Sequence, residues 1–252
     1  MNDRYQHCTS EAILIIGKPS GLLLWLALVF LAAPFAARAL TLGQVDDFQD
    51  GTAQNWQTGI QLVGNIASGG PNGSGDRYIQ YTSSGGGGVG SRMVIFNTSQ
   101  WLGDYNSAGI TGIEMDLDNF SSQPLSMRIA FFLNSFTGYV STTPVPLAAG
   151  SGWQHVIFSL SAVNFTAIGS PGDFNTLLSN FNGQLRLLDS FAPSMQGDVI
   201  AATLGADNIQ AIPEPTALAL VGASLVALVC CGRLSPKSRF GRARHSITQL
   251  AP

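Results

Sequence analysis

The chain has 252 residues, 45% hydrophobic and 11% charged, with a net charge of −3 and three cysteines. That length holds one sizeable domain plus processing segments, and a chain with no excess of basic residues to neutralise phosphates is excluded as a nucleic-acid binder. The cysteines, Cys8, Cys230 and Cys231, all lie near the ends, so the middle of the chain holds no disulfide and draws its stability from a packed core, with or without a bound ion.

In chain order, Lys18 precedes an apolar run from Gly21 to Ala33, and Ala37-Arg38-Ala39 sets small residues at the −3 and −1 positions of a cleavage site. This pattern predicts a secretory signal peptide over residues 1–39, removed before Leu40. The run is too short for a stable anchor, since 13 residues at 1.5 Å each reach only roughly 20 Å against a ~30 Å hydrocarbon core. Between Leu40 and Ala211 there are eleven Asp, one Glu and four Arg but no Lys, a net of −8, so the exported part is acidic and the ends are basic.

From Gln44 to Ile209 short alternating runs are separated by Gly, Ser, Asn and Pro. "GIEMDLDNF" sets Ile113, Met115 and Leu117 against Glu114, Asp116 and Asp118, and "LSMRIAFFL" sets Leu125, Met127, Ile129, Phe131 and Leu133 against Ser126, Arg128, Ala130 and Phe132. A period of two means strands with one buried face, and the intervening "NFSSQP" predicts a hairpin. Further strands are expected at 45–48, 60–63, 77–82, 92–96, 138–142, 153–160, 184–188 and 199–209. About ten strands at this spacing predict an all-β jelly-roll sandwich over residues 40–211. One helix is expected in "GDFNTLLSNFNG", with Asp173 as its cap, Phe174, Leu177, Leu178 and Phe181 on one face, and Gly183 as its stop. "SGGPNGSGD" and "SSGGGGVG" read as turns, not phosphate cradles, because neither a Lys-Ser/Thr pair nor a helix follows.

Catalysis is short of parts. His155 is the one histidine between the ends, it sits in a strand beside Trp153, and no nucleophile elbow accompanies it. Glu114, Asp116 and Asp118 offer the carboxylates a glycosidase needs, but their alternation is that of a solvated strand face, so no enzyme is expected. Calcium is the ion that would suit the hard oxygen donors Asp46, Asp47 and Asp50 near the first strand with Asp207 and Asn208 near the last, if those strands are neighbours; the same acids could equally serve solubility. Sequons at Asn72, Asn97, Asn119 and Asn164 are those a Ser/Asn-rich chain produces by chance.

"VDDFQDGTAQNWQTG", "GITGIEMDLDNFSSQPLSMRIAFF", "GWQHVIFSLSAVNF" and "GADNIQAI" together resemble, in order and spacing, the carbohydrate-binding-module-like jelly rolls of the galactose-binding type. The resemblance implies a binding or structural module, often with a structural calcium near its paired termini, and does not fix a ligand. Sugar binding would need exposed aromatic platforms, for which Trp101, Tyr105, Phe136, Tyr139 and Trp153 are candidates, with Arg128 as a polar contact.

At the other end, Pro213-Glu214-Pro215 precedes an apolar run of 17 residues, Thr216 to Gly232, long enough for roughly 25 Å of helix. Arg233, Lys237, Arg239, Arg242 and Arg244 follow and would hold the C-terminus in the cytoplasm. This order resembles the PEP-CTERM sorting signal of Gram-negative bacteria, with Pro213, Glu214, Pro215 and Arg233 as its motif. The resemblance implies an inner-membrane intermediate, recognition by an exosortase, and release to the cell surface or the biofilm matrix. The continuation from Ser246 to Pro252 departs from that pattern. The expected protein is an exported, non-enzymatic surface or matrix sandwich that binds exopolysaccharide; the competing readings are a structural or adhesive matrix protein without sugar binding, and a secreted glycan-active enzyme.

Overall fold

Two antiparallel sheets of six strands each pack face to face in the computed structural model, which describes residues 40–60 and 63–213. The strands are β1 (Val45–Asp46), β2 (Gly64–Ile66), β3 (Tyr78–Ser84), β4 (Val94–Asn97), β5 (Gly112–Asn119), β6 (Leu125–Asn134), β7 (Thr137–Ser141), β8 (Val145–Leu147), β9 (Gln154–Ser159), β10 (Phe165–Ile168), β11 (Gln184–Asp189) and β12 (Ala201–Ile212). The first sheet runs β2-β3-β12-β5-β9 with β1 also on β12, and the second runs β10-β7-β6-β11-β4 with β8 on β6. This is the expected all-β jelly-roll sandwich, and its first and last strands are neighbours, Val45 opposite Gln210 and Asp46 opposite Ile209. The expected signal peptide, Glu214, Pro215, Arg233, the apolar run 216–232 and the basic tail lie outside the described residues. Among the described residues no helix is long and apolar enough to cross a membrane.

The alternation in the sequence places the core. Ile113, Met115 and Leu117 of β5 face Leu125, Met127, Ile129 and Phe131 of β6 within one cluster that also takes in Trp56, Trp101, Tyr105 and Phe181. Burying each such large side chain contributes roughly 1.5–3 kcal/mol before entropy is counted. Aromatic edges lock one end of that core: Phe131 meets Phe181 at 5.0 Å and Tyr105 at 5.4 Å, both nearly perpendicular.

Three expectations are corrected. β5 and β6 do not form a hairpin, because β5 pairs β12 and β9 while β6 pairs β7, β8 and β11. A period of two says which face is buried, not which strand lies alongside. The connection instead carries the chain from one sheet to the other, pinned by Asn119, whose amide donates to the carbonyls of Gln123, Leu147 and Ala148. Second, β6 is buried on both faces, because the segment 190–199 lies across the outer side of the second sheet and places Met195 against Ala130, Val140 and Leu188. Third, the helix is a single turn and a half, α1 (Phe174–Leu178). Asp173 caps it as expected, accepting from the Thr176 backbone N–H at 2.8 Å, but Phe181 lies beyond its end, in a bridge with Gly103.

Candidate ligand-binding face

The outer face of the first sheet carries every side chain of β5 that alternates away from the core. Glu114, Asp116 and Asp118 stand in a row, and Phe120, at the next position of the same parity, extends it. On β9 the outward residues are His155 and Ile157, with Trp153 just before the strand opposite Asp118. On β12 and β3 they are Thr203, Gly205 and Asp207, and Tyr78, Gln80 and Thr82.

Three rings converge over Gly205 at the centre of this face. Tyr78 and Trp153 meet edge to face at 5.0 Å, Phe120 and Trp153 at 6.1 Å, and Tyr78 and Phe120 lie 5.9 Å apart. A methyl group on Gly205 would stand 2.7 Å from Phe120 and 3.0 Å from Trp153, so the residue is glycine because the rings occupy its side-chain space. Tyr78 is buried beneath, Trp153 is half-buried, and Phe120 is 43% exposed. The indole is fixed by its N–H, which donates to the Gly69 carbonyl at 2.9 Å. Asp118 sits beside the rings, its carboxyl pushed above the ordinary range by burial and held back by the Gly152 backbone N–H.

Beside the rings lies a polar network. His155 Nδ1 is 3.1 Å from Asp116 and its Nε2 3.5 Å from Glu114, while the Asn208 amide donates to the other Asp116 oxygen at 2.8 Å. A bulge in β12 between Asp207 and Gln210, with Asn208 in the left-handed region (φ 50), brings Asp207 directly opposite Asp116. Like charges opposite each other across strands repel, and Asp207 is fully buried with Oδ2 unbonded. Burial first, then Asp76, Asp116 and Asp47, push its pKa up to about 7.

Of the donors expected for calcium, Asp47 lies near enough to Asp207 to raise its pKa, while Asp46 and Asp50 are engaged elsewhere. Asp46 turns into the core, where it accepts from the Trp56 and Trp101 indoles at 2.8 and 2.6 Å and from Gln100. Asp50 is at the surface and closes its own turn through Thr52. Asp47 caps Gln49, while Asp207 and Asn208 belong to the bulge. Among the described residues no three His, Cys, Asp or Glu side chains are grouped so as to hold a metal ion.

Of the six residues named above as ligand contacts, one reaches this face. Trp153 belongs to it. Phe136 is exposed in the turn between β6 and β7 of the second sheet. Trp101 and Tyr105 are fully buried, the first bonded to Asp46 and the second donating to the Trp101 carbonyl at 2.8 Å, so neither is a platform. Arg128 does lie on the non-core side of its sheet, but it is buried there, its guanidinium donating to the carbonyls of Ser190, Phe191, Ser141 and Thr142; it ties down the covering segment. Tyr139 packs on Phe174 at 4.9 Å and donates to the Gly172 carbonyl. The sequons Asn97 and Asn119 are buried as well. Tyr78, Phe120 and Gly205 were not anticipated, though the parity that set Glu114, Asp116 and Asp118 outward extends to Phe120.

No family model and no curated protein matches the chain. Among solved structures, an exo-beta-agarase is similar at 15% identity with a TM-score of 0.48, over 69% of this chain and 26% of its own length. The family 11 carbohydrate-binding module from Clostridium thermocellum, solved in complex with a beta-1,3-1,4-mixed-linked tetrasaccharide, is similar at 16% identity with a TM-score of 0.42, over 69% of this chain and 97% of its own. An agarase is similar at 16% identity with a TM-score of 0.36, over 55% of this chain and 20% of its own.

Proposed function

We propose that this domain is a non-catalytic polysaccharide-binding module, exported and sorted to the cell surface or matrix, which holds neutral sugar residues on the Phe120–Trp153 platform. The observation that carries this reading is the aromatic pair of exposed Phe120 and half-buried Trp153 beside an unbroken row of carboxylates. The apolar ring faces suit the C–H faces of a pyranose, and the half-buried Asp116 and Glu114 accept from its hydroxyls. Binding without cleavage accords with the placement of the acids: Asp116 is tied to His155 and Asn208, and Asp207 is buried beyond the reach of a substrate. The export half of the reading rests on the residues around Ala39 and on Pro213-Glu214-Pro215 with the arginines that follow.

The test is affinity electrophoresis of the full chain in gels containing neutral β-glucans and galactans. Trp153→Ala and Phe120→Ala are each expected to weaken retardation at least tenfold, about 1.4 kcal/mol, with little change in melting midpoint because both rings lie outside the core. Absence of retardation by every neutral polymer sinks the reading and favours the structural alternative. Release of reducing ends that disappears in Asp116→Asn would favour the enzyme.

A further inference from the structure

The outer face of the second sheet holds a groove that the platform does not use. It has a volume of about 230 Å³ and is lined by Val89, Arg92, Phe96, Phe136, Arg186 and Gln196, among others, with no Asp or Glu in its walls. In a domain with twelve acids and four arginines, two of the four arginines meet where every carboxylate is absent. Neither is ion-paired to an Asp or Glu; among the described residues the ion pairs involve His155 alone.

Both guanidiniums are held in place by neutral groups. Arg186 lies over the Phe132 ring at 3.5 Å and 5.7 Å from that of Phe96, and donates to the Met195 carbonyl and to Gln184 Oε1. Arg92 donates to the carbonyls of Gly87 and Gly197. Three contacts on Arg186 and two on Arg92 leave N–H groups of each free, out of the five a guanidinium carries. Burial lowers Arg186 to about 10, so it remains charged at neutral pH.

The turn beside the groove is the second observation. β6 and β7 are joined by two residues, Ser135 and Phe136, between the paired Asn134 and Thr137. Both have left-handed backbones, φ 43 and 61, the type I′ geometry that Asn-Gly usually supplies. A phenylalanine there is strained, and the residue is 55% exposed, its ring centroid 6.3 Å from that of Phe132. Strain of this kind clusters at sites of function.

We propose that this groove is a subsite for an acidic sugar, the carboxylate of a uronate residue pairing with Arg92 and Arg186 while Phe136 and Phe96 carry the pyranose ring. Arginine forks match carboxylates bidentately, and the groove is smaller than the ~300–1,000 Å³ pockets that enclose whole small molecules, so it suits one residue of a chain that runs on across the surface. The net charge of −8 repels a polyanion at long range, so retention must come from this local pair and not from bulk attraction.

The test is affinity electrophoresis of the full chain in polygalacturonate, in its carboxyl-reduced form and in dextran sulfate. Polygalacturonate is expected to retard the chain at least tenfold more strongly than either control. Arg92→Gln and Arg186→Lys should each lose at least tenfold in affinity, the second because an ammonium lacks the planar fork. Phe136→Gly should lose affinity while its melting midpoint rises, an opposition that misfolding cannot produce. Equal retardation by the reduced polymer or by dextran sulfate overturns the proposal, as does unchanged affinity in Phe136→Gly and Arg92→Gln. The neutral-polymer assay is separate: retardation by polygalacturonate alone supports the groove and sinks the platform, and retardation by neutral polymers alone does the reverse.

Discussion

Asp207 shows how one residue couples the bulge in β12 to the stability of the domain. Its carboxyl is raised by burial to about 7 from the ordinary 3.8, is partly relieved by the Asn208 backbone N–H, and faces Asp76, Asp116 and Asp47; His155 stands on the far side of Asp116. Between those two values the folded chain keeps a proton that the unfolded chain releases, so the contribution of Asp207 is complete below 3.8 and lost as pH rises through about 7. The melting midpoint should therefore fall between about pH 4 and about pH 7, and Asp207→Asn, which mimics the protonated acid, should flatten that fall. Parallel pH profiles for the two chains would contradict this. Asp207 and Asn208 were legible as neighbours of the first strand; that one of them is buried opposite another aspartate was not, because register and bulge are properties of the assembled sheet. Asp46 makes the same point in reverse, since its partners Trp56 and Trp101 are 10 and 55 residues away.

At the scale of elements, alternation and capping located most strands and the Asp173 cap, while pairing eluded them. The β5–β6 segment reads as a hairpin until the two sheets are seen to face each other across it. β8 and β10 were not anticipated: β8 is three residues with Pro146 in the middle, tolerated because only β6 pairs with it, and β10 has no long apolar run of its own. Gly183, expected as a helix stop, has a different reason. A methyl group there would lie 2.1 Å from the Phe132 carbonyl oxygen, so β11 can close on β6 only where no side chain intervenes. Gly183→Ala should cost about 2–4 kcal/mol, read as a lower midpoint in denaturant with an unchanged slope; a loss under about 0.5 kcal/mol would refute the close-approach account.

For the whole molecule, the ends and the middle separate by composition, acidic between Leu40 and Ala211 and basic outside it. Mass spectrometry of the protein recovered from its host is expected to show an N-terminus at Leu40 and no peptide from beyond Pro213-Glu214-Pro215; a peptide reaching Pro252 would overturn sorting. Sequence alone determined the class of fold, the acidic middle and the outward row of Glu114, Asp116 and Asp118, because periodicity and charge are local. Only the tertiary structure decided which aromatics reach an outer face and converge there. Trp101 and Tyr105 look like platforms in one dimension and are core in three, while Phe120 just after β5, Trp153 just before β9 and Tyr78 of β3 come together over Gly205, and Arg92 ahead of β4 joins Arg186 of β11. Exposure and convergence depend on partners tens of residues away, and no local pattern records them.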